Sequence, residues 1–174
     1  MSGKIIGIVI MISALIAGAA LYYLQVYGFY ERVDASGPQD VEMVSIVSDL
    51  PEPFPVDGFQ AIDADSSPIR YRACFTIDAS LALLTETFVG LDATAPRNAP
   101  GWFDCFDAEA IAGEIEAGTA LTFLGQKNIH FGVDRIVAVT EDGRGYIWHE
   151  LNECGEKSYD GTIVGEECPT RETN

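Results

Sequence analysis

The pattern of apolar and polar positions splits the chain near residue 30. Between Lys4 and Glu31 no side chain is charged, and Ile5 to Leu24 is filled mainly with Ile, Val, Leu, Met, Ala and Gly. A helix rises about 1.5 Å per residue, so roughly 20 such residues cross a hydrocarbon core of about 30 Å. Tyr22, Tyr23, Tyr27, Phe29 and Tyr30 gather at the far end of the run, where amphipathic rings settle among lipid headgroups. Residues 1–30 therefore read as a transmembrane anchor, in contact with the lipid bilayer through residues 5–30. A cleaved signal peptide is the alternative: Lys4 supplies a minimal basic region, and Ala17-Gly18-Ala19 a small-residue cleavage pattern. Apolar character continues through Leu21, Leu24 and Val26, which favours the uncleaved anchor. Ala14 and Gly18 are spaced to seat a partner helix, although small residues are common in membrane helices.

Beyond residue 30 the periods shorten. Residues 31–41, with Ser36-Gly37-Pro38, read as a juxtamembrane linker, and residues 42–174 as one domain. Alternation predicts strands over Glu42 to Ser48 and Phe59 to Asp63, and most clearly over Ile69 to Ile77. There Ile69, Tyr71, Ala73, Phe75 and Ile77 share one face, and Arg70, Arg72, Cys74 and Thr76 the other. Pro51, Pro53 and Pro55 are expected to forbid regular structure between the first two strands. Asp65-Ser66-Ser67-Pro68 is a turn. Asp78 or Ser80 caps a helix to about Phe88, with Leu81, Leu84 and Phe88 on its buried face. A loop with Pro96 and Pro100 leads to Trp102-Phe103-Asp104-Cys105-Phe106. Asp107 caps a second helix to about Ala117, and Gly118 suits the position just past its end. Thr119 to Leu124 is a strand. Val133 to Thr140 and Tyr146 to Leu151 form a hairpin across Asp142-Gly143. Strands with two short helices predict an α+β domain with a mainly antiparallel sheet.

Charge narrows the picture. The chain has 174 residues, with 27 acidic against 10 basic side chains and a net charge of -17. Every acid and nine of the ten bases lie after residue 30. Nucleic acid is excluded as a partner, because phosphate neutralisation needs clustered Lys and Arg. At 48% apolar residues the chain is not a disordered polymer. Lys4 and the amino terminus precede the span, and Glu31 and Arg32 follow it. The positive-inside rule then puts the N-terminus in the cytoplasm and the domain outside, in the periplasm of a bacterial inner-membrane protein.

Cys74, Cys105, Cys154 and Cys168 all lie in the exported part. An even count in an oxidising compartment reads as two disulfides. Cys154 and Cys168 bracket a Gly-rich tail and are paired with each other, which leaves Cys74 for Cys105. There is no C-x-x-C and no zinc-finger spacing. Arg70 and Arg72, on one strand face, form a candidate clamp for a carboxylate or phosphate, against the plainer role of pairing with the many acids. His130 and His149 lack a zinc or nucleophile motif around them and read as structural or surface residues. Asp63-Ala64-Asp65-Ser66-Ser67 opens like a calcium loop, but Pro68 and Cys74 stand where such a loop needs Gly and Glu. Trp102, Phe103 and Phe106 beside Cys105 either line a pocket or pack on the disulfide. No metal, cofactor or catalytic residue is assigned.

Several segments together resemble a small uncharacterised family of alphaproteobacterial membrane proteins. They are Met1-Ser2-Gly3-Lys4-Ile5-Ile6-Gly7, Tyr22-Tyr23-Leu24-Gln25-Val26-Tyr27, Phe103-Asp104-Cys105-Phe106, Lys127-Asn128-Ile129, Asp134-Arg135-Ile136-Val137-Ala138-Val139 and Asp142-Gly143-Arg144-Gly145-Tyr146. The resemblance implies a domain of unknown function and brings no catalytic residue with it. Members sometimes bear a histidine-kinase label, which this sequence does not support: it has no glycine-rich nucleotide boxes and only two histidines. The expected function is a membrane-anchored accessory or interaction module, bound to the bilayer and to another envelope protein. A small-ligand or metal-binding domain using Arg70, Arg72 or the acidic loops is the alternative.

Overall fold

The computed structural model describes residues 3–166 and 168–170. Helix α1 (Gly3–Tyr23) runs into a π-helical turn, Leu24–Gly28. The 26 residues from Gly3 to Gly28 are long and apolar enough to cross a membrane, with a mean hydropathy of 2.5, and none of them is buried by the rest of the chain. A helix this apolar on every side presents a surface suited to lipid.

Among the described residues nine strands follow: β1 (Glu31–Val33), β2 (Glu42–Val44), β3 (Pro51–Pro53), β4 (Asp57–Asp63), β5 (Arg72–Thr76), β6 (Gly90–Leu91), β7 (Ala120–His130), β8 (Val133–Thr140) and β9 (Arg144–Leu151). Helix α2 (Leu81–Thr87) lies between β5 and β6, and α3 (Ala108–Ala117) between β6 and β7. Seven strands make one antiparallel sheet in the order β1-β4-β5-β9-β8-β7-β6, and β2 and β3 form a separate ribbon. The expected α+β class and its two short helices are present.

Period-two alternation sends side chains to both sides of this sheet, and both sides are covered. One face carries Ala73, Phe75, Phe123, Val137, Val139 and Ile147 against Met43 of the ribbon and Leu84 and Phe88 around α2. The other carries Ile62, Cys74, Ile136, Ala138, Tyr146 and Trp148 against Phe103, Phe106 and Ile111. Trp148 and Phe123 are fully buried; each such side chain stabilises by roughly 1.5–3 kcal/mol. Ser80 Oγ accepts from Leu83 N at the start of α2, and Asp107 accepts from the N–H groups of Glu109 and Ala110 at the start of α3. Gly118 closes α3 in the left-handed conformation at φ 74°.

Five expectations need correction. The linker 31–41 begins with a strand: Glu31, Arg32 and Val33 pair with Asp63, Ile62 and Ala61. The segment Pro51–Pro53 is also a strand. Phe54 N donates to Val41 O and Ser45 N to Leu50 O, a parity that places both prolines at positions whose N–H would not enter the ladder. The strand over Glu42 to Ser48 stops at Val44, because Ser45 turns back through Asp49 N→Ser45 O. β7 runs on to His130 through two register shifts, with Asn128 at φ 51°. Finally, the strand over Ile69 to Ile77 starts only at Arg72. Arg70 lies in the preceding turn, its N–H bonded to Ser67 O, so Arg70 and Arg72 do not share a strand face.

Candidate functional site

The cysteines pair as the chain order suggested. Cys74 and Cys105 are disulfide-bonded with Cα atoms 6.2 Å apart, and Cys154 and Cys168 with theirs 4.9 Å apart. The first bond ties β5 to the aromatic segment before α3, on the face where Phe103, Phe106 and Trp148 pack. The second closes the C-terminal tail. Both distances lie within the usual disulfide range, and the pair of bonds points to an oxidising compartment.

Arg72 is buried, and its guanidinium is enclosed by backbone carbonyls. Nε donates to Arg97 O (2.7 Å), Nη1 to Ile69 O (2.9 Å) and Tyr71 O (2.6 Å), and Nη2 to Asn98 O (3.1 Å). Its Cζ lies 5.7 Å from the Phe106 ring centre. Burial pushes this group down to about 10, still charged at neutral pH. Its donors are therefore spent on fixing the loops around Ile69 and Arg97. Arg70 points elsewhere: Nη2 donates to Gln25 Oε1 at 2.6 Å, and its Cζ lies 5.5 Å from the Tyr30 ring centre. The two arginines are brought near one another but do not form one clamp.

Arg70 is part of a junction between the end of the apolar helix and the domain. Trp102 Nε1 donates to Val26 O at 2.7 Å. Tyr30 meets Trp102 edge-on at 6.2 Å, and the Arg32 guanidinium lies 5.7 Å from the Trp102 ring centre. Indole N–H is only a donor and needs an acceptor when half-buried. The carbonyl of Val26, in the π-helical turn, supplies it. The aromatic segment Trp102–Phe106 thus serves two purposes: Phe103 and Phe106 pack on the disulfide, while Trp102 reaches the helix.

The two histidines lie beside each other, ring centres 6.2 Å apart. His149 is 2% exposed and stacks on Tyr71 at 4.8 Å. Its Nε2 is 3.1 Å from Arg135 Nε, which can only donate, so Nε2 accepts. The proton then sits on Nδ1 and is donated to Pro68 O at 2.8 Å. Burial pushes this imidazole down to about 4, and Arg135 adds to the effect. Arg135 also lies 4.7 Å from the centre of the Tyr71 ring, whose hydroxyl is pushed up to about 12 by burial. His149 is thus held neutral with both nitrogens engaged. His130, exposed, lines an open cleft of about 420 Å³ with Asp63, Asp65 and Pro68. A second cleft, of about 280 Å³, is lined by Asp92, Thr94, Asp134, Glu150 and Glu166 among others. Asp134 Oδ1 accepts from Asn128 N and Asn152 Nδ2 there, and Glu150 Oε1 accepts from Ala95 N and Trp148 Nε1. These carboxylates organise loops. Among the described residues no group of three or more His, Cys, Asp or Glu side chains is placed to hold a metal ion.

Sequence reasoning singled out the cysteines, Arg70 and Arg72, but missed Gln25, Tyr30, Arg32 and Trp102 as one junction. The aromatic belt was the only signal for it; the pairing of residues 45 and 76 apart in sequence leaves no local pattern.

A family of unknown function (DUF6446) matches residues 41–169, and the chain belongs to that family. No curated protein and no solved structure matches it.

Proposed function

We propose that this chain is a single-pass protein of the bacterial inner membrane. Its N-terminus lies in the cytoplasm, and its periplasmic domain works as an accessory or interaction module, without enzymatic activity. The observation that carries the reading is the unburied 26-residue apolar helix whose last turn is hydrogen-bonded to the folded domain. The two disulfides support export. The commitment of Arg72 to four carbonyls counts against a paired Arg70/Arg72 clamp, one of the features the ligand-binding alternative would use, and His149, with both nitrogens engaged, offers no free base.

The test is a reporter active only after export, fused to the C-terminus of the full chain, with washed membranes extracted at alkaline pH. An active reporter that stays with the membrane is the expected outcome. Activity confined to a cytoplasmic reporter would invert the topology. Release of the domain by washing would show cleavage in place of anchoring. A reaction rate of the purified full chain, lost on a single side-chain change, would overturn the accessory role.

A further inference from the structure

We propose that Arg32 and Arg70 bind the phosphate groups of membrane phospholipids in the leaflet where the helix emerges, so that the domain stands on the headgroup layer through this side. The inference rests on the anchor reading above. Its first support is depth. At about 1.5 Å per residue, a hydrocarbon core of about 30 Å begun at Ile5 is used up near Leu24. Gln25 and Val26 then lie at the headgroup boundary. Arg70 reaches Gln25 and Trp102 reaches Val26 by direct hydrogen bonds, so both side chains of the domain are drawn down to that level. Tyr30 and Trp102, the rings beneath the two guanidinium groups, are residues that settle at this interface.

The second support is charge. The exported part is strongly acidic, yet four of its nine bases, Arg32, Arg70, Arg72 and Arg97, cluster at this end. Among the described residues none of the four lies within 4.0 Å of a carboxylate, whereas Arg144 pairs with Glu114 and Asp142, and Lys127 with Glu166. Arg32 shares a cleft with Glu31, Asp63 and Asp65, whose carboxylates stay beyond ion-pair distance of its guanidinium. Arg70 Nη1 is buried without a hydrogen-bond partner; an unpaired buried donor is costly, and a turn of the guanidinium onto a headgroup oxyanion relieves that cost. Arg72 is spent on carbonyls and contributes only its field.

The experiment titrates the full chain, in mild detergent, with phosphatidylglycerol and reads bound lipid by native mass spectrometry. Wild type is expected to retain lipid. R32Q/R70Q should bind more weakly by about fivefold for each arginine lost, with R32K/R70K in between, because it keeps charge but not the fork. R144Q, at the opposite end of the sheet, should bind as wild type does. Intact disulfides and an unchanged melting curve certify that each variant is folded. Equal binding by R32Q/R70Q and wild type would overturn the proposal, as would full displacement of lipid by excess inorganic phosphate, which would make a free anion the ligand. Sedimentation of the same samples with phosphatidylglycerol vesicles separates the two readings. Protein left in the supernatant removes the anchor itself, while sedimentation with unchanged lipid titration removes only the arginine site.

Discussion

At the scale of single residues, Gly145 and His149 show how neighbouring positions of one strand carry different constraints. Gly145 is opposite Phe75 across the β5–β9 ladder, and a Cβ there would fall inside the space of the Phe75 ring. The ring covers the bare backbone, so G145A is expected to destabilise by about 1–3 kcal/mol through overpacking. Urea unfolding should show a lower midpoint at unchanged slope, and F75L in the same chain should recover part of the loss. An unaffected midpoint would mean the ring does not lie on Gly145. His149 sets a pH dependence. Its folded imidazole titrates at about 4, against about 6.5 in an unfolded chain. The stabilisation is complete above pH 6.5. It is lost as pH falls toward 4, because the unfolded chain takes up a proton that the folded one refuses. The window amounts to about 3 kcal/mol. H149N cannot titrate there, so its stability between pH 7 and pH 4.5 should fall distinctly less than that of wild type. Equal falls would exclude His149 as the group responsible.

At the scale of elements, the two disulfides hold different things. Cys74–Cys105 joins a central strand to the segment that covers it, amid Phe103, Phe106 and Trp148, so C74S/C105S is expected to cost about 2–5 kcal/mol of global stability. Cys154–Cys168 holds a tail whose Tyr159, Ile163 and Val164 are exposed. C154S/C168S should leave the main transition nearly in place while trypsin cuts after Lys157 much faster. A collapse of the main transition in that second variant would mean the tail belongs to the core. What was readable in the sequence follows the same division. The β8–β9 hairpin was visible because Asp142-Gly143 turns between two alternating runs, and α3 because Asp107 and Gly118 mark both its ends. Both are local signals. The strand Pro51–Pro53 was hidden because two prolines normally end a strand, and only the register against Val44 and Glu42 makes them harmless. The alternation in the sequence carries β7 only to Leu124, just before Gly125. In the structure a Cβ at Gly125 would press on Arg135 and Val137, so the glycine allows close packing of β7 on β8.

At the scale of the whole molecule, the distance between anchor and sheet governs how the domain is carried. Only Phe29 and Tyr30 separate the π-helical turn from β1, and β1 is already an edge strand of the main sheet. The polar stretch after Val33, with its Asp40 carboxylate bonded to Ser36 and Gly37, comes too late in the chain to act as a leash. The sequence suggested a tether there because Ser36-Gly37-Pro38 has linker composition; the pairing of Glu31–Val33 with a strand 30 residues away has no local signature. The domain is thus held at its foot by β1, by Arg70 on Gln25 and by Trp102 on Val26. W102F keeps the ring against Tyr30 and Phe103 but loses the N–H donated to Val26 O. Since one net hydrogen bond is worth about 1 kcal/mol, the melting midpoint of the domain should move little. Hydrogen exchange of the amides of residues 24–33, measured on the full chain in lipid nanodiscs, should instead rise severalfold, because local opening samples the junction well before the sheet. Exchange unchanged from wild type would show that β1 alone fixes the domain to its helix, and a large fall in the melting midpoint would assign Trp102 to the core and not to the junction.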